Sequence, residues 1–218
     1  MRENRGFTLV ELMVSMGVTM VLMGAVYMSL NAAQRHSSAI ERKVSAQQDV
    51  KPALDLMSIE LGMASYNPTT ASLWGVSLNR GIQEATTSSI RVEMDIGPGG
   101  DGNGVMGDHP NEVIRFNYDT VNQYITRETN YGGAQPFLGD IPTRPRAIRV
   151  INNTLNIPLF RYYDGTGTDI SATLPAAIPN IRRIDITLAV ETEGIDPNTN
   201  QRRRLIYSTS VIPRNHGI

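Results

Sequence analysis

Two groups of residues have types and spacings suited to chemistry. The first lies in Met94–Asp108, where Asp95, Asp101, Asn103 and Asp108 are set among glycines. Such hard oxygen donors suit calcium, and the glycines let backbone carbonyls turn inward. The EF-hand template is not met, because Val105 stands where a third oxygen ligand belongs and no Glu closes the loop. Two readings stay open: a calcium site, or a flexible glycine-rich loop with solvated acids. Gly97, Gly99 and Gly102 also spell a dinucleotide fingerprint, but Pro98 and the further glycines deny it the helix it needs. The second group is a single residue. Glu11 is the one charge between Phe7 and Leu30. A carboxylate at the centre of a membrane helix costs about 2.5–3.5 kcal/mol, and less near its end. Glu11 therefore calls for a positive partner.

Other chemistries find little support. The 218 residues contain no cysteine, which excludes thiol catalysis and cysteine-ligated zinc. His36, His109 and His216 have no second ligand or nucleophile at a telling spacing, and no serine sits in a nucleophile elbow. Asp164-Gly165-Thr166-Gly167-Thr168-Asp169 reads as a tight turn, and Arg202-Arg203-Arg204 as a solvated strand edge. No enzymatic activity and no required cofactor are expected. The formal net charge of −1 does not indicate a nucleic-acid surface.

The elements that must position these residues begin with one long helix, expected from Phe7 to about Ala64. Its first half is apolar all round and long enough to cross a bilayer, which takes about 20 residues. Gly17 and Gly24 share a face that either admits a neighbouring helix or simply tolerates glycine. The second half is amphipathic, with Ile40, Val44, Gln47, Val50, Leu54, Met57, Leu61 and Ala64 on one stripe. Arg42, Lys43, Asp49, Asp55 and Glu60 fall on the opposite face. Packing on the chain's own sheet explains the stripe better than a coiled-coil partner does. Pro52 should kink the helix, and Asn67-Pro68 should end it before a loop holding Trp74.

Strands follow. Ile90, Val92, Met94 and Ile96 alternate with Arg91, Glu93 and Asp95, and Ile114, Phe116 and Tyr118 alternate with Arg115 and Asn117. Tyr124–Arg127 pairs back as a hairpin. Pro136 to Pro145 reads as loop, and Ala147–Ile151 and Leu159–Tyr163 as short strands. The clearest hairpin has Ile184, Ile186, Leu188 and Val190 on one face, a turn through Gly194, Asp196, Pro197 and Asn198, and a return over Arg204–Ile212. The fold class expected is α+β, a long N-terminal helix packed on an antiparallel β-sheet head.

The start of the chain resembles a type IV prepilin. Arg2 and Arg5 lead to Gly6, Phe7 follows, and Glu11 is the fifth residue after the glycine inside an apolar helix. A secretory signal differs, with an apolar core of about 7–15 residues and a small-residue cleavage site after it; Asn31-Ala32-Ala33 mimics that site only weakly. The resemblance implies cleavage between Gly6 and Phe7 by a prepilin peptidase, N-methylation of Phe7, and assembly with other pilins through the helix. It also implies that Glu11 neutralises the amino terminus of a neighbouring subunit. The bacterial inner membrane would hold the subunit as a single pass, N-terminus cytoplasmic and head periplasmic, before it enters a pilus or pseudopilus. The leader arginines agree with that orientation, while Arg35, Arg42 and Lys43 oppose it.

Ala53–Tyr66, with its leucine-rich turn, acidic position and small-residue exit, is similar to the helix end of PilW-type minor pilins and J-type pseudopilins of type II secretion. The implied division is a leader over 1–6, a membrane or filament-core helix over 7–30, an amphipathic helix over 31–66 and a β-rich head over 67–218. Three roles fit: a minor pilin assisting filament initiation, a J-type pseudopilin of a secretion tip, and a membrane-anchored adhesin or binding module.

Overall fold

The apolar and amphipathic runs form a single helix, α1, spanning Leu9–Gly62. This computed structural model describes residues 7–67, 81–96, 107–141, 148–196 and 199–216. The 54 residues of α1 reach about 80 Å at about 1.5 Å each. The helix continues through Pro52 as one element, although proline has no N–H to offer the Gln48 carbonyl.

The head contains two antiparallel sheets. The first has β1 (Ile82–Ala85), β2 (Ser89–Glu93), β3 (Val113–Asp119), β4 (Tyr124–Thr129) and β5 (Gln135–Leu138) side by side in chain order. The second is built on β8 (Arg183–Asp196). β9 (Gln201–Val211) pairs along one side of it. On its other side β6 (Ile148–Val150) and β7 (Phe160–Tyr163) pair with successive stretches. One core joins everything: Val50, Leu54, Met57 and Leu61 from α1, Ile90, Val92, Ile114, Phe116 and Ile125 from the first sheet, and Phe160, Tyr162, Ile184, Ile186, Leu188 and Val190 from the second. Burying such side chains contributes about 1.5–3 kcal/mol each.

Two contacts set the direction of α1 over the β8–β9 hairpin. The Arg42 guanidinium donates to the Ile195 carbonyl near the hairpin tip. Twenty residues on, Gly62 faces the Val211 side chain, with 3.7 Å from its would-be Cβ to Val211 Cγ1. The helix therefore runs along the hairpin, antiparallel to β8.

The helix exit is bonded to the first sheet and to the C-terminal turn. Arg127 of β4 holds Glu60 with Nε and Nη2 at 3.0 and 2.6 Å and also donates to Asn111 at 2.9 Å. Ser65 N–H donates to the Glu93 carbonyl, and Asp95 N–H to the Tyr66 carbonyl, at 2.9 and 2.8 Å. His216, buried near the C-terminus, joins Ser65 Oγ through Nδ1 at 3.1 Å and the Ile178 carbonyl through Nε2 at 2.8 Å. A carbonyl only accepts, so Nε2 carries the proton. Gly81 has φ +74°, and a Cβ there would collide with the Ser65 hydroxyl and backbone. Two phenols tie sheet to sheet: Tyr118 donates to the Val150 carbonyl at 2.7 Å and Tyr162 to the Thr86 carbonyl at 2.8 Å.

Several expectations change. Ile40 and Val44 are exposed, because the head first covers the helix at Ala46. Glu60 is buried rather than solvated, since Arg127 supplies the charge that its burial requires. Glu93 and Asp95 are buried too, and Glu93 accepts the Tyr131 hydroxyl at 2.8 Å. Residues 136–138 form part of β5, whose edge position tolerates Pro136. Gly194 and Asp196 belong to β8, not the turn. β1 was not foreseen. The remaining strands lie within a few residues of their expected places, and the Asp164 turn is present, with Asp164 Oδ1 accepting from Thr166 and Thr168 N–H. Pro68, Trp74, 142–147, Pro197 and Asn198 lie outside the described residues.

Burial pushes the Tyr162 phenol well above its usual 10, outweighing the bond to Thr86. A raised folded value means that the phenol's contribution is complete below pH 10 and fades as pH climbs towards that value. Tyr162→Phe should cost about 1–2 kcal/mol at neutral pH and flatten the alkaline loss of stability in urea titrations; an unchanged alkaline slope would contradict this. Gly81→Ala should cost about 2–4 kcal/mol in the same assay, and a neutral result would mean that Ser65 is not pinned there.

Candidate functional site at the helix start

The first turn of α1 is organised by its own side chains. Thr8 has an extended backbone, φ −81° and ψ 153°, and caps the helix. Its Oγ1 accepts the Glu11 N–H at 3.3 Å, while Glu11 Oε2 accepts the Thr8 N–H at 2.8 Å and the Thr8 hydroxyl at 2.9 Å. This reciprocal capping box satisfies orphan N–H groups that a helix start leaves open. Both of the bonds that Thr8 donates fall on Oε2. Phe7 precedes the cap and is 90% exposed. Gly6 and Arg5 lie outside the described residues.

From this turn to Leu30 the large apolar side chains of the helix are uncovered by the rest of the described residues. Leu9, Val10, Leu12, Met13 and Val14 are exposed, and so are the large apolar residues through Leu30. Gly17 and Gly24 have open space where a Cβ would stand. Two hydroxyls in this half are turned inward on the helix: Ser15 donates to the Leu12 carbonyl at 2.8 Å and Thr19 to the Ser15 carbonyl at 2.7 Å. Back-bonded hydroxyls leave no free donor to an apolar surrounding. The helix is long and apolar enough to cross a membrane.

Residues 1–27 match a family model described as the prokaryotic N-terminal methylation motif. The match supports a type IV pilin-like protein. It implies processing by a prepilin peptidase and assembly with other pilins, and with the apolar helix it is consistent with membrane anchoring. No curated protein and no solved structure matches the chain.

Sequence reasoning named Glu11 but missed Thr8 and the hydroxyls of Ser15 and Thr19. The signal for Thr8 was present: a Thr three residues before a Glu at the head of an apolar run.

Of the four calcium candidates, Asp95 and Asp108 lie among the described residues. Asp95 is buried beside the helix exit, and Asp108 is exposed, with one carboxylate oxygen 3.2 Å from His109 Nδ1. Asp101 and Asn103 lie outside the described residues. Donor atoms of Asp108, His109 and Glu112 fall within 4.8 Å of one another, and Asp95 is not in that group. Glu112, which no local pattern singles out, is fully buried. Its Oε2 accepts the Gly107 and His109 N–H groups at 2.9 and 3.0 Å, and Oε1 the Ile96 N–H at 3.3 Å. Asn130 completes this clamp by accepting the Glu112 and Val113 N–H groups, both at 3.1 Å. Glu112 thus spends its oxygens on loop backbone.

Thr8→Val removes the hydroxyl that caps Glu11. Loss of a cap costs about 1 kcal/mol, so amide exchange of the pilin-like chain in micelles should quicken about fivefold in the first turn. Unchanged exchange would show that the capping box does not hold this end.

Proposed function

We propose that this chain is a minor pilin that helps a type IV pilus to initiate and assemble. The observation that carries the reading is a matched prepilin start opening a helix whose apolar half is exposed among the described residues. Such a surface is covered by lipid while the subunit waits and by neighbouring helices once it assembles. The prepilin peptidase cleaves after Gly6, and Phe7 becomes the methylated amino terminus. Glu11 then meets the amine of a neighbouring subunit through Oε1, with Oε2 held by Thr8. In a dry core an unpaired carboxylate is strongly disfavoured, so the pairing sets axial register.

The subtype rests on the helix exit. The PilW-like stretch Ala53–Tyr66 is bonded into the head at its end through Ser65 and Tyr66, which makes it a fixed part of the fold. A J-type pseudopilin would share both this exit and the N-terminus. It would differ in which machinery fails when the subunit is lost.

Glu11→Ala should lower the fraction of subunit recovered in sheared surface filaments by about tenfold or more, while processing after Gly6 continues. Recovery equal to the parent would remove Glu11 from assembly and favour a membrane-anchored binding module instead.

A further inference from the structure

We propose that the free edge of β9 receives an extended strand from a different subunit, one with alternating apolar and polar residues and acidic ends. That the donor is a fellow subunit rests on the filament reading above; the capacity of the edge to take a strand does not.

The free backbone groups follow from the ladder. Thr187 N–H donates to Leu159, Ala189 N–H to Asn152, and Ile151 N–H to the Ala189 carbonyl. These residues of β8 therefore face away from β9, and Ile184, Ile186 and Leu188 face towards it. Their partners are Val211, Thr209 and Tyr207. Backbone groups alternate in direction along a strand, so the N–H and C=O groups of Ile206, Ser208 and Ser210 point outward. Among the described residues only β8 pairs with β9.

Other edges of this head are blunted. β1 has four residues, and β5 has four with Pro136 among them. β9 has eleven, and from Leu205 to Val211 it carries neither charge nor proline. A long, uncharged edge of Ile, Tyr, Thr and Val is an aggregation hazard unless something covers it.

The surroundings describe the occupant. A groove of about 850 Å³ borders the end of β9 on the helix side. Its walls include Ile59, Met63, Tyr66 and Ile212, with Ile59 62% and Ile212 64% exposed. On the other face a second groove reaches Ser208 and Ser210 and is lined by Arg161, Asp185 and Thr187. Side chains of an added strand alternate between faces, so one set is apolar and the other polar. Arg202, Arg203 and Arg204 stand at one end of the edge and Arg214 at the other. Only Arg204 among these has an ion-pair partner among the described residues, Glu191 at 3.1 Å. A second copy paired antiparallel about Ser208 would set Arg202 against Arg214. Acidic ends on a different chain fit instead.

The test uses the full chain in detergent micelles and the synthetic peptide Asp-Thr-Val-Thr-Val-Thr-Val-Thr-Asp, with a Lys-ended counterpart. The acidic peptide should slow amide exchange at Ile206, Ser208 and Ser210 about tenfold, and the Lys-ended one should bind about tenfold more weakly. Ser208→Pro removes an outward N–H and no ladder bond, so it should abolish binding with the melting temperature unchanged. No protection of the three amides, equal binding of the two peptides, or full binding by Ser208→Pro would each overturn the proposal. Self-association of the chain that Ser208→Pro abolishes would assign the edge to a second copy and overturn it too. The exchange experiment on the unsubstituted chain stands whether or not the proline variant folds, and none of these outcomes depends on Glu11.

Discussion

One helix has to be stable in two surroundings at once, and the rest of the molecule answers to that. From Phe7 to Leu30 it offers apolar side chains in every direction, with the Ser15 and Thr19 hydroxyls bonded back to its own carbonyls. From Ala46 onward the same helix offers one buried stripe to a head of two sheets. No break separates the halves, so whatever grips the first half is rigidly coupled to the second. In an isolated subunit the first half can rest only in lipid or against other helices. Glu11 is the exception inside that surface, and its capping box with Thr8 shows how a carboxylate can be held ready there without leaving its own turn.

The head is fastened where the helix ends. Glu60 and Arg127 join helix to first sheet, and His216 brings the C-terminal residues onto the same turn through Ser65. Breaking such a pair from one side strands a charge in a partly dry site, which is costly in a way that replacing both partners is not. Gly81 lets the chain pass against Ser65 with no side chain between them. The two phenols, Tyr118 and Tyr162, then fix the sheets to each other. Filament contacts made along the apolar half would thus set the position of the entire head.

Much of this could be read from residue order, and the misreadings have a common cause. Period-two alternation located β2, β3, β8 and β9, because one face of each strand is apolar. Helical spacing located the buried stripe from Val50 to Ala64. The same rules assign every charged residue to solvent, and so they misplaced Glu60, Glu93 and Asp95, whose burial depends on the helix exit and on partners far along the chain. Pro136 read as loop because proline is excluded from central strands, whereas β5 is an edge. Ile40 and Val44 continue the stripe in pattern, but the head does not extend down to them. At the site, Glu11 stood out as a lone charge, whereas the capping-box spacing of Thr8 and Glu11 is a weaker signal that a charge-based reading passes over. Glu112 carried no local signal at all, since the N–H groups that it accepts come together only in the folded loop.

The central claim is that the helix begins its working life at Phe7, with a freed amine for a neighbour's Glu11 to meet. Mass spectrometry of the N-terminal peptide from the native protein tests it most directly. The account predicts a peptide that starts at N-methylated Phe7. A chain that retains Met1, or one that starts near Gln34 with the apolar helix removed, would contradict it.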